Sequence, residues 1–202
     1  SLARLQEPEA VRDLLPLLQD DDPRMRFVAL RALGQLRSRE AVPAVTPFLG
    51  DARKELRFAA VEALGQMRAA TALPPLVEVL SDRDRNLRRA AAESLGAIGD
   101  LQAVPSLLLS LEDEHWSVRC SAAAALGRIG SPKATQALAL RCDDEDPTVR
   151  RAAVAALGEI GDPRAARRLA QTLSDPAVQA AGLDALRRLG AGALPEIERA
   201  YG

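Results

Sequence analysis

A chain of 202 residues, 48% hydrophobic and 27% charged, holds enough apolar material for a substantial core. Its 27 basic and 28 acidic residues leave a net charge of −1, so no global field draws it onto a phosphate backbone or an anionic membrane. Aromatic residues make up only 2%, which points to packed helices rather than to a β-sandwich.

Residues 1 to 5 resemble the tail of a second helix, and the chain starts at Ser1 rather than Met; the expectation is a piece of an array that extends upstream. The triplet Asp20-Asp21-Asp22 then precedes Pro23, an N-cap acceptor followed by a residue preset to helical φ. The helix it opens runs through Arg26 and Gly34. Next comes a short first helix, "AVPAVTPFLG", then a long one through Arg57 and Gly65, then "LPPLVEVL", then a long one through Arg88 and Gly96 that ends at Gly99. The segment "AVPSLLLSL" (103 to 111) places Val104, Leu107, Leu108 and Leu111 on one helical face. Pro43, Pro74 and Pro105 fall in first turns, where proline costs no hydrogen bond. Asp146-Pro147 opens a helix whose apolar stripe is Val149, Ala152, Ala153, Ala156, Leu157 and Ile160, closed at Gly161. Asp175-Pro176 opens the last long helix.

The period is 31 residues. Gly34, Gly65, Gly96, Gly127 and Gly158 keep it, as do Arg26, Arg57, Arg88, Arg119 and Arg150, and so does the column Leu18, Leu49, Leu80, Leu111, Cys142 and Leu173. Three residue types in one register identify a repeat array. Glycine inside a helix costs about 1 kcal/mol relative to alanine, so its column predicts close approach by a neighbouring helix. The predicted fold is all-α, an α-solenoid of about six stacked helical hairpins plus a terminal helix, in one array.

"DPTVRRAAVAALGEIGD" followed by "PRAARRLAQTL" resembles a HEAT-like repeat of the short kind found in phycobiliprotein lyases, and the likeness covers nearly all of the chain. It implies either a scaffold or adaptor, or a lyase or chromophore-handling subunit that attaches or detaches bilins on antenna proteins. Departures are Arg53 and His115 for the capping Asp, Arg37 and Arg68 for the terminal Gly, and Gln179 and Arg187 for the Arg and Gly of the last full copy.

Catalytic constellations fail on inventory. One histidine excludes HExxH and other multi-histidine metal sites, and no GxGxxG or Walker loop occurs. Cys142 sits in a leucine column and reads as core; His115 and Cys120 lack a third partner. The acidic runs at 20 to 22 and 143 to 146 read as caps rather than calcium ligands. The Arg26 column with its Asp in every copy reads as a ladder between repeats. No catalytic residue, metal or cofactor is expected. The two cysteines lack CxxC spacing and there is no signal-peptide pattern, so a reducing, cytoplasmic setting is expected.

Function then belongs to positions that differ between copies and face solvent. On the second helices, which line the concave face in HEAT-like folds, such positions include Arg24, Phe27, Arg31, Glu55, Phe58, Glu62, Arg89, Glu93 and Cys120, with Trp116 beside them. Helices about 8 to 10 Å apart give a groove on the order of 50 Å, suited to a polypeptide. Phe27 and Phe58 occupy one column and are expected to anchor a partner inside a rim of Arg24, Arg31, Glu55 and Glu62. Glu55, Glu62, Glu93 and Glu159 would oppose phosphates, so the expected partner is a protein rather than a nucleic acid or a membrane. The alternative is the bilin-lyase function that the resemblance implies.

Overall fold

A computed structural model describes residues 9–193 of the chain. Among them every regular element is helical, and the chain divides into two compact units, Ser1–Ile98 and Gly99–Gly202. In the first unit α1 (residues 9–14) is followed by a 3-10 turn at Pro16–Gln19 and by α2 (Pro23–Gln35). Then come α3 (Val42–Val45), α4 (Lys54–Met67), α5 (Leu73–Val79) and α6 (Arg85–Ile98). The second unit repeats the pattern with α7 (Val104–Ser110), α8 (Trp116–Ile129), α9 (Thr135–Arg141), α10 (Pro147–Ile160), α11 (Ala166–Thr172) and α12 (Gln179–Leu189). Each unit is thus three pairs of a short and a long helix. The long helices pack on one another, α2 on α4 and α4 on α6, α8 on α10 and α10 on α12.

The turn inside each pair is shaped by carboxylates. Asp20, Asp51, Asp82, Asp113 and Asp144, spaced by the period, each accept a hydrogen bond from the backbone N–H two residues on, at 2.7 to 3.0 Å. Two residues further, Asp22, Asp84 and Asp146 cap the long helix by accepting from Arg24, Asn86 and Thr148 N–H. His115 does the same with Nδ1, which accepts from Ser117 N–H at 3.2 Å, so the imidazole that replaces aspartate keeps the cap. Arg53 makes no side-chain cap. The last pair departs from expectation: Pro176–Val178 is a turn and α12 begins only at Gln179. Here the loop is two residues shorter: Asp175 keeps the turn-and-ladder role that Asp144 has one repeat earlier, and α12 has no side-chain cap. Asp175 Oδ1 accepts from Ala177 N–H while Oδ2 accepts from Arg150 Nε.

At the far ends Gly99, Gly130 and Gly161 take positive φ, as their column predicts, and so do Arg37 (φ 52°) and Arg68 (φ 48°). Those two arginines hold a left-handed conformation that costs a residue bearing Cβ roughly 1–2 kcal/mol.

The internal glycines allow the close stacking. A Cβ on Gly34 would sit 2.8 Å from Ala63 Cα, one on Gly127 2.9 Å from Ala156 Cα, and one on Gly158 2.8 Å from Ala185 Cα. The helices touch through their backbones there, which seals Leu33, Leu64, Leu126 and Leu157 completely. Short helices contribute Val45, Leu76, Leu107, Leu138 and Leu169 to the same cores. Cys142 is buried as its leucine column predicts, and burial pushes its thiol up to about 11, which leaves it protonated and unreactive at neutral pH.

The arginine column forms the expected ladder. Arg119 Nη1 donates to the Asp113 and Glu114 carbonyls of its own turn, while Nε and Nη2 reach the next repeat and bind both oxygens of Asp144 at 2.8 Å. Arg150 ties Asp144 and Glu145 carbonyls to Asp175 in the same way. Arg57 reaches Asp82 at 3.2 Å. The rungs are looser in the first unit, where Nε of Arg26 and of Arg57 are buried with no hydrogen-bond partner among the described residues. Burial opposes ionisation of Asp144, but hydrogen bonds from Arg119 and from Asp146 N–H outweigh it and hold the carboxyl below its ordinary range.

The side chains of Arg119 and Asp144 are only 7% and 3% exposed, so truncating one strands the other. Arg119→Ala should cost about 3–5 kcal/mol in a urea melt followed by circular dichroism. The double variant Arg119→Met/Asp144→Leu should recover most of that loss, because neither charge is then left buried alone.

Candidate partner-binding surface

The long helices turn one stripe toward their neighbours and another toward solvent. In the first unit Arg24 and Arg31 of α2 and Glu55 and Glu62 of α4 are exposed, while Phe27, Phe58, Arg89 and Glu93 are half-buried. Arg24 pairs with Asp22 at 2.8 Å, and that hydrogen bond keeps the Asp22 carboxyl below its usual range. One turn further along α2, the Arg31 guanidinium lies over the Phe27 ring, 5.8 Å from its centroid, a cation–π geometry that leaves one ring face occupied by charge.

Phe27 also lines a surface cleft of about 380 Å³. Pro23, Arg24 and Val28 of α2 line it with Phe27, and Arg53, Glu55 and Leu56 complete it at the start of α4. The floor is apolar and the rim carries two guanidiniums and a carboxylate. Val28 is 53% exposed and opens the apolar surface to solvent; Met25, on the same turn of α2, is exposed as well. The structure therefore brings Phe27, Arg24, Arg31 and Glu55 together. Phe58 lies one turn beyond Glu55, outside the residues that line the cleft.

Glu62 and Glu93 meet in a second cleft of about 250 Å³ between α4 and α6, with Gln66 and the left-handed Arg37 and Arg68 at the helix ends. Arg89 turns onto Glu93, 2.6 Å away and one turn on, so its charge is partly neutralised within its own helix. In the second unit Trp116 is 44% exposed. Its indole stacks on His115, centroids 5.8 Å apart at 30°, and Cys120 follows one turn later, half-buried. The His115 ring is thus held by its cap and by the indole.

Sequence reasoning missed Val28, Arg53 and Leu56 as cleft residues and the pairing of Arg37 with Arg68 in one wall. Val28 stands outside the buried stripe and Arg37 and Arg68 replace glycine, so each carries a signal as a departure from its column. Among the described residues no group of three His, Cys, Asp or Glu could hold a metal ion, and no helix is long and apolar enough to cross a membrane.

Stacked helical pairs tied by a repeated Arg–Asp ladder define an α-solenoid repeat protein. The chain belongs to the HEAT repeat family, whose profile matches residues 1–53, 43–114 and 104–190. It is similar in structure to the complex of CpcE and CpcF of phycocyanin lyase from Nostoc sp. PCC7120, with 28% identity over 97% of this chain and 83% of that one and a TM-score of 0.57. An engineered protein shares the fold at 22% identity and a TM-score of 0.65, over 91% of this chain and 97% of its own. So does a designed armadillo repeat protein in complex with the peptide (KR)4, at 21% identity, 88% and 98% coverage and a TM-score of 0.61. No curated protein matches the chain significantly.

The left-handed arginines give a direct test of backbone strain at the helix ends. Arg68→Gly should relieve the backbone and raise stability by about 1 kcal/mol in a denaturant melt; an unchanged or lower midpoint would show that the arginine side chain stabilises the helix end it closes.

Proposed function

We propose that this protein is a non-enzymatic interaction scaffold that holds a partner polypeptide on the outward faces of its long helices, anchored at the Phe27 cleft. The observation that carries this reading is the cleft itself. Phe27, Val28, Pro23 and Leu56 offer an apolar seat, while Arg24, Arg53 and Glu55 offer a polar border, the arrangement in which an aromatic anchor contributes most to binding. Membership of the HEAT repeat family supports a binding scaffold in general. The net charge of −1 and the acidic groups Glu55, Glu62 and Glu93 among the arginines favour a protein over a nucleic acid.

A displayed peptide library selected on the full chain tests this. Selected peptides should bind Phe27→Ala/Phe58→Ala at least about tenfold more weakly, while the helical signal in circular dichroism stays intact. Binding that survives the double substitution would reject the assignment, and Phe58→Ala alone would show whether the second ring, which lies outside the cleft, takes part.

A second reading rests on the 28% identity to the phycocyanin lyase complex over nearly the whole chain. On that reading the protein is a lyase or chromophore-handling subunit for bilins. Titration with a linear tetrapyrrole separates the two: a saturable absorbance shift supports the lyase reading, and an unchanged spectrum supports the scaffold.

A further inference from the structure

Two leucines of the second unit lie where packing does not need them. Leu109 of α7 and Leu140 of α9 are 77% and 63% exposed, although the cores take their leucines from Leu107 and Leu138, both sealed. They occupy the same position of consecutive repeats, 31 residues apart, where the copies on either side carry Glu78 and Gln171. The repeat therefore does not demand an apolar residue there, and a pair of exposed leucines is confined to these two short helices.

Both are followed by acidic triplets. Residues 112–114 read Glu-Asp-Glu and residues 143–145 read Asp-Asp-Glu. These six carboxylates, with Leu140, Arg119 and Arg141, line one cleft of about 490 Å³. Arg141 joins its two sides, donating to the Leu111 carbonyl and pairing with Glu112 at 3.3 Å, so the two triplets form a continuous wall. Arg119 is buried against Asp144. The lining thus holds six carboxylates and two guanidiniums; Arg119 also reaches Glu145 at 3.2 Å, and Asp143 pairs with Arg168 outside the cleft. Glu145 and Asp143 remain well exposed beside the leucine. An exposed apolar side chain set in a surplus of negative charge is complementary to a segment that carries the opposite charge around apolar side chains of its own.

We propose that this face, formed by the short helices α7 and α9, is a docking site for a cationic amphipathic polypeptide segment. Its apolar side chains pack on Leu109 and Leu140, and its lysines or arginines meet the acidic triplets. The site lies on other helices than the Phe27 cleft and works whether or not that cleft binds anything.

Fluorescence anisotropy with the full chain tests it, using a labelled synthetic peptide of lysine and leucine arranged to form an amphipathic helix. The expected result is saturable binding that weakens as salt rises and falls about tenfold or more in Leu109→Ser/Leu140→Ser. Glu112→Gln/Glu145→Gln should weaken it as well, while Phe27→Ala/Phe58→Ala should leave it unchanged. Both leucines are exposed, so the thermal melt of their variant should match the parent and separate lost binding from lost folding. The proposal is overturned if the peptide does not bind, if a glutamate-for-lysine version binds equally, or if the leucine variant binds as the parent does. It is equally overturned if sedimentation shows the chain self-associating through these leucines, which would make a second copy the occupant.

Discussion

The arrangement depends on a buried guanidinium that no single repeat can satisfy. Arg119 and Arg150 each donate to carbonyls of their own turn and to a carboxylate 25 residues on, in the turn of the next repeat. Apolar burial is non-directional and by itself sets the register only loosely. A fork of hydrogen bonds to two carboxylate oxygens is not so tolerant: only one register places Asp144 against both Nε and Nη2 of Arg119. In the second unit the ladder thus fixes the register in which helices stack, and hydrophobic burial supplies the driving force once they are in place.

That division explains which positions are uniform along the chain. Gly34, Gly127 and Gly158 are glycine because the facing Cα lies where a Cβ would be. Asp20, Asp51, Asp82, Asp113 and Asp144 are aspartate because each closes the same turn. Where a repeat departs from the pattern, the departure is physical too. His115 keeps the cap with a ring nitrogen, and where the loop loses two residues Asp175 keeps the turn and the ladder while the side-chain cap is lost. Arg37 and Arg68 stay in the left-handed conformation at a cost, and both end up in the wall of one cleft.

Surfaces follow the opposite rule. The Phe27 cleft and the acidic face of α7 and α9 include residues that only some copies share: Phe27 and Phe58 give way to Arg89, Cys120 and Arg151, and Leu109 and Leu140 to Glu78 and Gln171. A HEAT array gives every copy the same backbone and lets side chains on its solvent faces vary without disturbing the stack. The chain therefore presents an aromatic seat with a mixed rim in one unit and an exposed leucine, Leu140, in an acidic cleft in the other.

The sequence by itself determined the helical class, the period, the positions of caps and glycines and the pairing of Arg with Asp, because those features must recur in every copy and recurrence is visible in a linear string. It also marked Phe27, Arg24, Arg31 and Glu55 as outward-facing. It did not place Val28, Arg53 and Leu56 beside them, separate Phe58 from that group, or shift the start of α12 past Pro176. Nor did it show that Leu109 and Leu140 stay exposed on their helices, with Leu140 in an acidic cleft. Those are decided by the angle at which one helix crosses the next, and that angle is set jointly by side chains far apart along the chain. Only the folded backbone brings them within reach of one another.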